Sequence, residues 1–246
     1  MTLADRLLEL ARSDERAVLF TVVEGPQPGA KLLVLLDRDG ETVGDAPPSL
    51  AALAGEIRRN GIHEHEGMRV FAEVYGPPPR LVVIGAVDTA EALCAQAKLL
   101  GWHTICVDAR AAFATPERVP SADELVVEWP DVALSRIATD HGTAVVVLSH
   151  DLKFDVPALQ AALRTDAFYV GAIGSRRTQA KRRDELVAAG LTEAELERIH
   201  GPAGLDLGAD TPAETAVAIL SEALAVRAGR SGRPLKTSAE RIHAEV

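Results

Sequence analysis

Leu81-Val82-Val83-Ile84-Gly85-Ala86-Val87-Asp88-Thr89-Ala90-Glu91 decides how this 246-residue chain is read. An unbroken apolar run gives way to a glycine and then to Asp-Thr-Ala-Glu, residue types that start a helix. A strand at 81–86 followed at once by a helix with a capping box at 88–91 is the opening step of a parallel sheet. Runs rich in Val, Ile and Leu recur at 104–108, 124–129, 144–149 and 168–173. They lack polar alternation, as expected of strands covered on both faces. Helical segments lie between them. Gly101 stops the first, and Thr192-Glu193-Ala194-Glu195 and Thr211-Pro212-Ala213-Glu214 supply further capping boxes, the last with proline at the first helical position. The alternation predicts right-handed crossovers and an α/β, Rossmann-type doubly wound parallel sheet.

Working outward, Gly76-Pro77-Pro78-Pro79 can neither extend a ladder nor start a helix. It is expected to link a small α+β domain over 1–79 to the Rossmann-like domain over 80–228. Leu3, Leu7 and Leu10 place a short helix within 2–13, and strands follow at 17–23 and 31–36. Asp37-Arg38-Asp39-Gly40 has hairpin chemistry before a strand at 41–43. A helix is expected at 49–60 and a strand at 69–75. Beyond Gly229, the tail over 229–246 is polar, broken by glycine and proline, and expected to be poorly ordered.

Apolar residues make up 47% of the chain against 25% charged, which supplies a core and excludes a disordered protein. Thirty-six acids outnumber 26 Lys and Arg, a net charge of −10 that opposes nucleic acid and anionic membranes over most of the surface. No nucleic-acid or membrane partner is expected, and any anionic ligand needs a local basic cluster. Cys94 and Cys106 sit within apolar runs and read as buried thiols in a reducing compartment rather than as a disulfide or zinc site. With neither a charged-then-apolar leader nor a membrane-length run, the chain is expected in the cytoplasm.

In a doubly wound sheet, ligands bind outside the carboxyl ends of the strands. That rule selects Gly85 after the first strand, Asp108 and Arg110 after the second, His150 and Asp151 after the fourth, and Gly174-Ser175-Arg176-Arg177-Thr178 after the fifth. The first turn fills the slot of a G-x-G-x-x-G fingerprint with only its first glycine, Val87 and Ala90 standing where the others belong. Asp108 lies about 20 residues on, where a ribose-binding acid belongs. A weak NAD(P) site and a tight turn without nucleotide are both compatible with this. The run 174–183 holds five basic residues before its first acid, Asp184. It reads as an anion site at a helix start, ahead of a solvated face held by ion pairs with Asp184 and Glu185. Ser149-His150-Asp151 cannot form a nucleophile–base–orienter chain, since the three are adjacent. His150 and Asp151 read equally as ligand contacts or as a hydrogen-bonded loop. His63-Glu64-His65-Glu66 lacks the H-E-x-x-H spacing and reads as a polar turn. The stretch 199–210 reads as one loop built for a single conformation, and within it Asp206 is open between an internal cap and a site residue.

Ser149-His150-Asp151-Leu152-Lys153-Phe154-Asp155, Tyr169-Val170-Gly171-Ala172-Ile173-Gly174-Ser175-Arg176-Arg177-Thr178 and Arg198-Ile199-His200-Gly201-Pro202-Ala203-Gly204-Leu205-Asp206-Leu207-Gly208-Ala209 together resemble the XdhC/CoxI family. Thr211-Pro212-Ala213-Glu214, and Phe113-Ala114-Thr115 after Asp108-Ala109-Arg110, fit the same pattern. The resemblance runs through about residues 80–225. It is fainter at Pro28-Gly29-Ala30-Lys31-Leu32-Leu33-Val34. It implies an accessory protein for molybdenum hydroxylases of the xanthine or carbon monoxide dehydrogenase type. Such a protein holds the molybdenum cofactor (molybdopterin), supports its sulfuration and hands it to the apoenzyme. A homodimer, the hydroxylase as partner, a cysteine desulfurase as a second partner, and no turnover of its own are the expectations that follow. The first domain departs from the pattern. Gly25-Pro26-Gln27-Pro28-Gly29 and Gly44-Asp45-Ala46-Pro47-Pro48 stand where many members carry G-S-x-P-R and G-G-C-x-E, which removes a cysteine contact from the expectation. The rival readings are an NAD(P)-dependent oxidoreductase, with His150 as its proton donor, and a regulatory domain that senses a nucleotide.

Overall fold

Thr2 starts the first helix, α1 (Leu3–Leu10), with a capping box in which its hydroxyl accepts from Asp5 N–H and the Asp5 carboxylate accepts from Thr2 N–H. The computed structural model describes residues 2–149 and 151–238. Two compact units divide the chain, one of residues up to Pro77 together with the segment from Leu235, the other Pro78–Pro234.

In the first unit, strands β1 (Ala17–Glu24), β2 (Lys31–Leu35), β3 (Glu41–Gly44), β4 (Gly61–His65) and β5 (Met68–Tyr75) form an antiparallel sheet in the order β3-β2-β1-β5-β4. One face packs on Leu50, Ala54 and Ile57, the other on Leu10. Two expectations change here. The helix expected at 49–60 is a 3-10 turn (Pro48–Leu50) running into α2 (Ala51–Ala54) and stopping at Gly55. His63-Glu64-His65 is strand rather than turn. Glu66 and Gly67 at φ 48° and 77° close a two-residue hairpin that pairs His65 with Met68, so β4 extends the sheet by one edge strand.

The second unit contains strands β6 (Arg80–Ile84), β7 (His103–Val107), β8 (Glu124–Val126), β9 (Thr143–Val147), β10 (Tyr169–Ala172) and β11 (Ile199–His200). Their order is β11-β10-β9-β6-β7-β8 and every pairing is parallel. The doubly wound α/β sheet expected from the sequence is therefore present. Leu81, Val83, Ala144 and Val146 face one core, and Val82, Ile84, Val145 and Val147 face the other. Both faces of each central strand are thus apolar, the reason these runs show no alternation. Helices α3 (Asp88–Leu99) and α8 (Pro212–Arg227) pack together against the first core. Helices α4 (Pro130–Arg136) and α5 (Leu152–Leu163) cover the second with α6 (Arg176–Ala188) and α7 (Glu193–Leu196). After β6 the chain turns to one face and after the neighbouring β9 to the other, which opens a crevice between them.

Three local readings are corrected in this unit. Asp88 begins α3 rather than capping it; Val87 is the N-cap, and the Glu91 carboxylate accepts from the N–H and hydroxyl of Ser121 instead. The strand expected at 124–129 stops at Val126 because Pro130 starts α4 with Trp129 as its N-cap. Ile199 and His200 are not loop but the short edge strand β11. The capping boxes of α7 and α8 are both formed. The tail residues 239–246 lie outside the described residues.

Asp123 ties β7 to the segment before β8. Lys98 at 2.8 Å, with Thr104 N–H and hydroxyl at 2.9 Å, holds its carboxyl down at about 2. A depressed carboxyl stabilises the folded form above its unfolded value and loses that contribution as pH falls through the folded one. Stability should therefore drop between about pH 4 and pH 2, and less steeply in Asp123→Asn, by urea denaturation across that range.

Candidate functional site

Gly85 ends β6 at φ 106°, a left-handed backbone that favours glycine, and a side chain there would approach Ser149 N at 3.5 Å. A crevice of about 380 Å3 lies at the carboxyl ends of β6, β7 and β9. Ile84, Val87, Val107, Pro130, Leu148 and Phe154 form its apolar wall, and Asp108, Arg110, Ser149 and Asp151 its polar one.

Asp108 is buried at 4% exposure and fully engaged. One carboxylate oxygen accepts from Ala86 N–H at 2.9 Å and from Arg110 Nη2 at 2.8 Å; the other accepts from Arg110 N–H and Nε, each at 2.9 Å. Burial pushes its carboxyl up, but the Arg110 fork and the two backbone donors outweigh this and hold it below the ordinary carboxylate range. Arg110 in turn lies 3.9 Å over the Phe113 ring. Asp151 caps α5 by accepting from Lys153 N–H at 3.0 Å. His150 lies outside the described residues.

A second polar cluster forms where β10 runs into α6. Ser175 caps α6, its hydroxyl accepting from Thr178 N–H at 3.2 Å. Gly174 sits at φ 125°, with space for a side chain limited by Thr178 at 3.2 Å. The basic run splits by burial. Arg182 is 1% exposed and donates Nε and Nη2 to Asp155, itself fully buried, and Nη1 to Gln179 Oε1 at 2.7 Å and Ile173 O at 3.2 Å. Gln179 Nε2 donates to Ala172 O at 2.9 Å, so α6 locks the end of β10. Arg183 pairs with Glu193. The ion pairs expected with Asp184 and Glu185 are thus replaced by partners on α5 and α7. Arg176 and Arg177 are exposed and have no hydrogen-bond or ion-pair partner among the described residues.

The loop 201–210 leans on the same region. Ala203 N–H donates to Ala172 O at 3.0 Å and Leu205 N–H to Ala218 O at 3.1 Å. Glu222 on α8 is its anchor, accepting from Tyr169 Oη at 2.5 Å and Gly204 N–H at 2.8 Å, with His200 Nδ1 at 3.3 Å. Glu222→Ala would strand the Tyr169 hydroxyl and the Gly204 N–H. It should cost about 1–3 kcal/mol in denaturant unfolding. Asp206 is exposed and lines no part of the crevice.

The crevice brings together Gly85, Asp108, Arg110 and Asp151; Gly174, Ser175, Arg176, Arg177 and Thr178 belong to the neighbouring turn. Sequence reasoning gave no site role to Phe154 and Phe113, which entered only with the family resemblance, or to Trp129. Phe154 stacks on Trp129 at 4.8 Å, yet a lone aromatic after a strand carries no signal of its own. The sequence reading counted Arg182 with the anion-site run and did not anticipate its pairing with Asp155, 27 residues away. Both cysteines are buried, and burial, with Glu91 beside Cys94, pushes each thiol up to about 12, so neither supplies a thiolate. No cluster of three or more metal-capable side chains occurs among the described residues, nor any helix long and apolar enough to cross a membrane.

A 3-2-1-4-5-6 parallel sheet with a crevice at its switch point places this unit in the doubly wound, Rossmann class. Residues 81–223 match the family described as the XdhC Rossmann domain, and the chain belongs to the XdhC family. It is similar to the uncharacterized protein YqeB of Escherichia coli, 27% identical over 253 residues covering 91% of this chain and 46% of the relative. It is also similar to a probable xanthine dehydrogenase subunit of Bacillus subtilis, 28% identical over 165 residues, 67% of this chain and 48% of the relative. The molybdenum cofactor insertion chaperone PaoD of Escherichia coli is 38% identical over 99 residues, 40% of this chain and 30% of the relative. The chain spans about half or less of the length of these relatives. A crystal structure described as a xanthine dehydrogenase from Bacillus halodurans shares the fold at TM-score 0.55 and 18% identity, covering 97% of this chain and 98% of that one.

Proposed function

We propose that the chain binds the molybdenum cofactor, assists its maturation and passes it to a molybdenum hydroxylase of the xanthine or carbon monoxide dehydrogenase type. The observation that carries this reading is the β10–α6 turn. In a chain of net charge −10, Arg176 and Arg177 stand exposed without ion partners among the described residues at the start of a 13-residue helix. The cofactor's pterin carries a phosphate and a dithiolene, both anionic. Forked guanidinium donors and helix N–H groups suit the phosphate. Arg176 and Arg177 would hold it, with Gly174, Ser175 and Thr178 shaping the turn, while Gly85, Asp108, Arg110 and Asp151 offer the neighbouring crevice to the rest. When bound in the client enzyme, the cofactor would supply the redox centre for hydroxylation. This chain's own residues bind, orient and release it without turnover.

Sulfuration requires a sulfur donor from outside this chain, whose two cysteines are both buried. A cysteine desulfurase is therefore part of the proposal, as are the hydroxylase apoenzyme as recipient and a homodimeric holder. The test is direct: the purified protein should carry molybdopterin, read as its fluorescent oxidation product. Protein expressed in a molybdopterin-competent host and purified without any would overturn the reading.

A further inference from the structure

The end of β7 is wired in an unusual sense for a doubly wound fold. In dinucleotide-binding sheets the acid at this position accepts hydrogen bonds from ribose hydroxyls. Here both Asp108 oxygens are taken by Ala86 N–H, Arg110 N–H and two donors of the Arg110 guanidinium. The buried acid therefore presents a cation to the crevice. Stacking on Phe113 restrains Arg110 further, and its Nη1 has no hydrogen-bond partner among the described residues. A guanidinium held on two sides loses little freedom when an anion docks on its remaining donors. The same crevice is lined by the apolar side chains of Val107, Pro130, Leu148 and Phe154, and Phe154 stacks on Trp129, so the lining offers an aromatic and aliphatic surface for a flat ring. Asp151 is the other acid lining the crevice among the described residues; one of its carboxylate oxygens accepts from Lys153 N–H at the start of α5 at 3.0 Å, and its charge acts on Arg110. At about 380 Å3 the crevice lies at the small end of ligand pockets, which run to about 1,000 Å3.

We propose that this crevice is a mononucleotide site: it takes a nucleoside monophosphate, base against Phe154 and phosphate on Arg110, and discriminates against ligands whose only handle is a ribose diol. Asp108 acts as a positioning residue that aims Arg110, and Arg110 sets the specificity. The inference concerns the crevice alone: a monophosphate seated there would compete with the part of the cofactor assigned to it above, and its binding is measured on cofactor-free protein.

Calorimetric titration of the full chain with AMP, CMP and their parent nucleosides tests it. Quenching of Trp129, the exposed one of the chain's two tryptophans, provides a second readout. The monophosphates should bind at least tenfold more tightly than the nucleosides. Arg110→Met should abolish that ratio while leaving nucleoside binding intact, and Asp108→Asn should reduce it. Phe154→Leu, in the apolar lining, should weaken both ligands alike and keep the ratio. Equal affinity for nucleotide and nucleoside in the wild type, no binding of either at millimolar concentration, or a ratio unaltered by Arg110→Met in a folded variant would each overturn the proposal.

Discussion

Arg182→Met should cost the protein about 3–5 kcal/mol, the largest loss expected from any single change outside the apolar core. The guanidinium is 1% exposed, and its removal leaves the fully buried Asp155 carboxylate without the cation that faces it. Gln179 Oε1 loses its donor at the same time, and Ile173 O keeps only Gln179 Nε2 at 3.3 Å. Asp155 belongs to the first turn of α5, beside the crevice residue Phe154, and Ile173 precedes the turn that carries Arg176 and Arg177. The pair thus joins the two polar clusters of the candidate site through the protein interior. Asp155→Asn combined with Arg182→Met should recover part of the loss, since the remaining group carries no charge. Urea denaturation of the two variants measures this. A single variant within about 1 kcal/mol of the wild type would show that the pair is not the tether described.

Arg177→Ala should have the opposite profile. The side chain is exposed and has no partner among the described residues, so thermal stability should barely move. A charge-assisted hydrogen bond to phosphate is worth about 1.5–3 kcal/mol, so retention of molybdopterin should fall about tenfold or more. Arg176→Ala should behave alike, and the double variant should purify without cofactor. Parallel losses of stability and cofactor would mean that these arginines support the fold instead of the ligand.

The two arginine predictions show what the sequence could and could not convey. Positions 176, 177 and 182 look equivalent in a basic run, and only burial separates a structural cation from two ligand candidates. Strand runs such as Val82-Val83-Ile84 were legible because both faces of a parallel strand must be apolar, a local and unambiguous pattern. The β4 hairpin was not, because the Glu66-Gly67 turn lacks the Asn-Gly or Asp-Gly signature and His63 and His65 look like loop residues. Asp88 carried the letters of a capping box, yet Ser121, 30 residues from Glu91, claims that glutamate. The Asp108–Arg110 fork was equally hidden. Spacing alone identified Asp108 as an acid at a strand end, but its engagement by its own neighbour is a matter of side-chain geometry.

Delivery is the central claim, and the most direct measurement is the cofactor content of a molybdenum hydroxylase produced with and without this protein. Hydroxylase made in its absence should be largely apo, and co-expression of the wild-type chain, but not of the Arg176→Ala/Arg177→Ala variant, should restore molybdopterin content and activity together. Full cofactor content and activity in its absence would contradict delivery to that client.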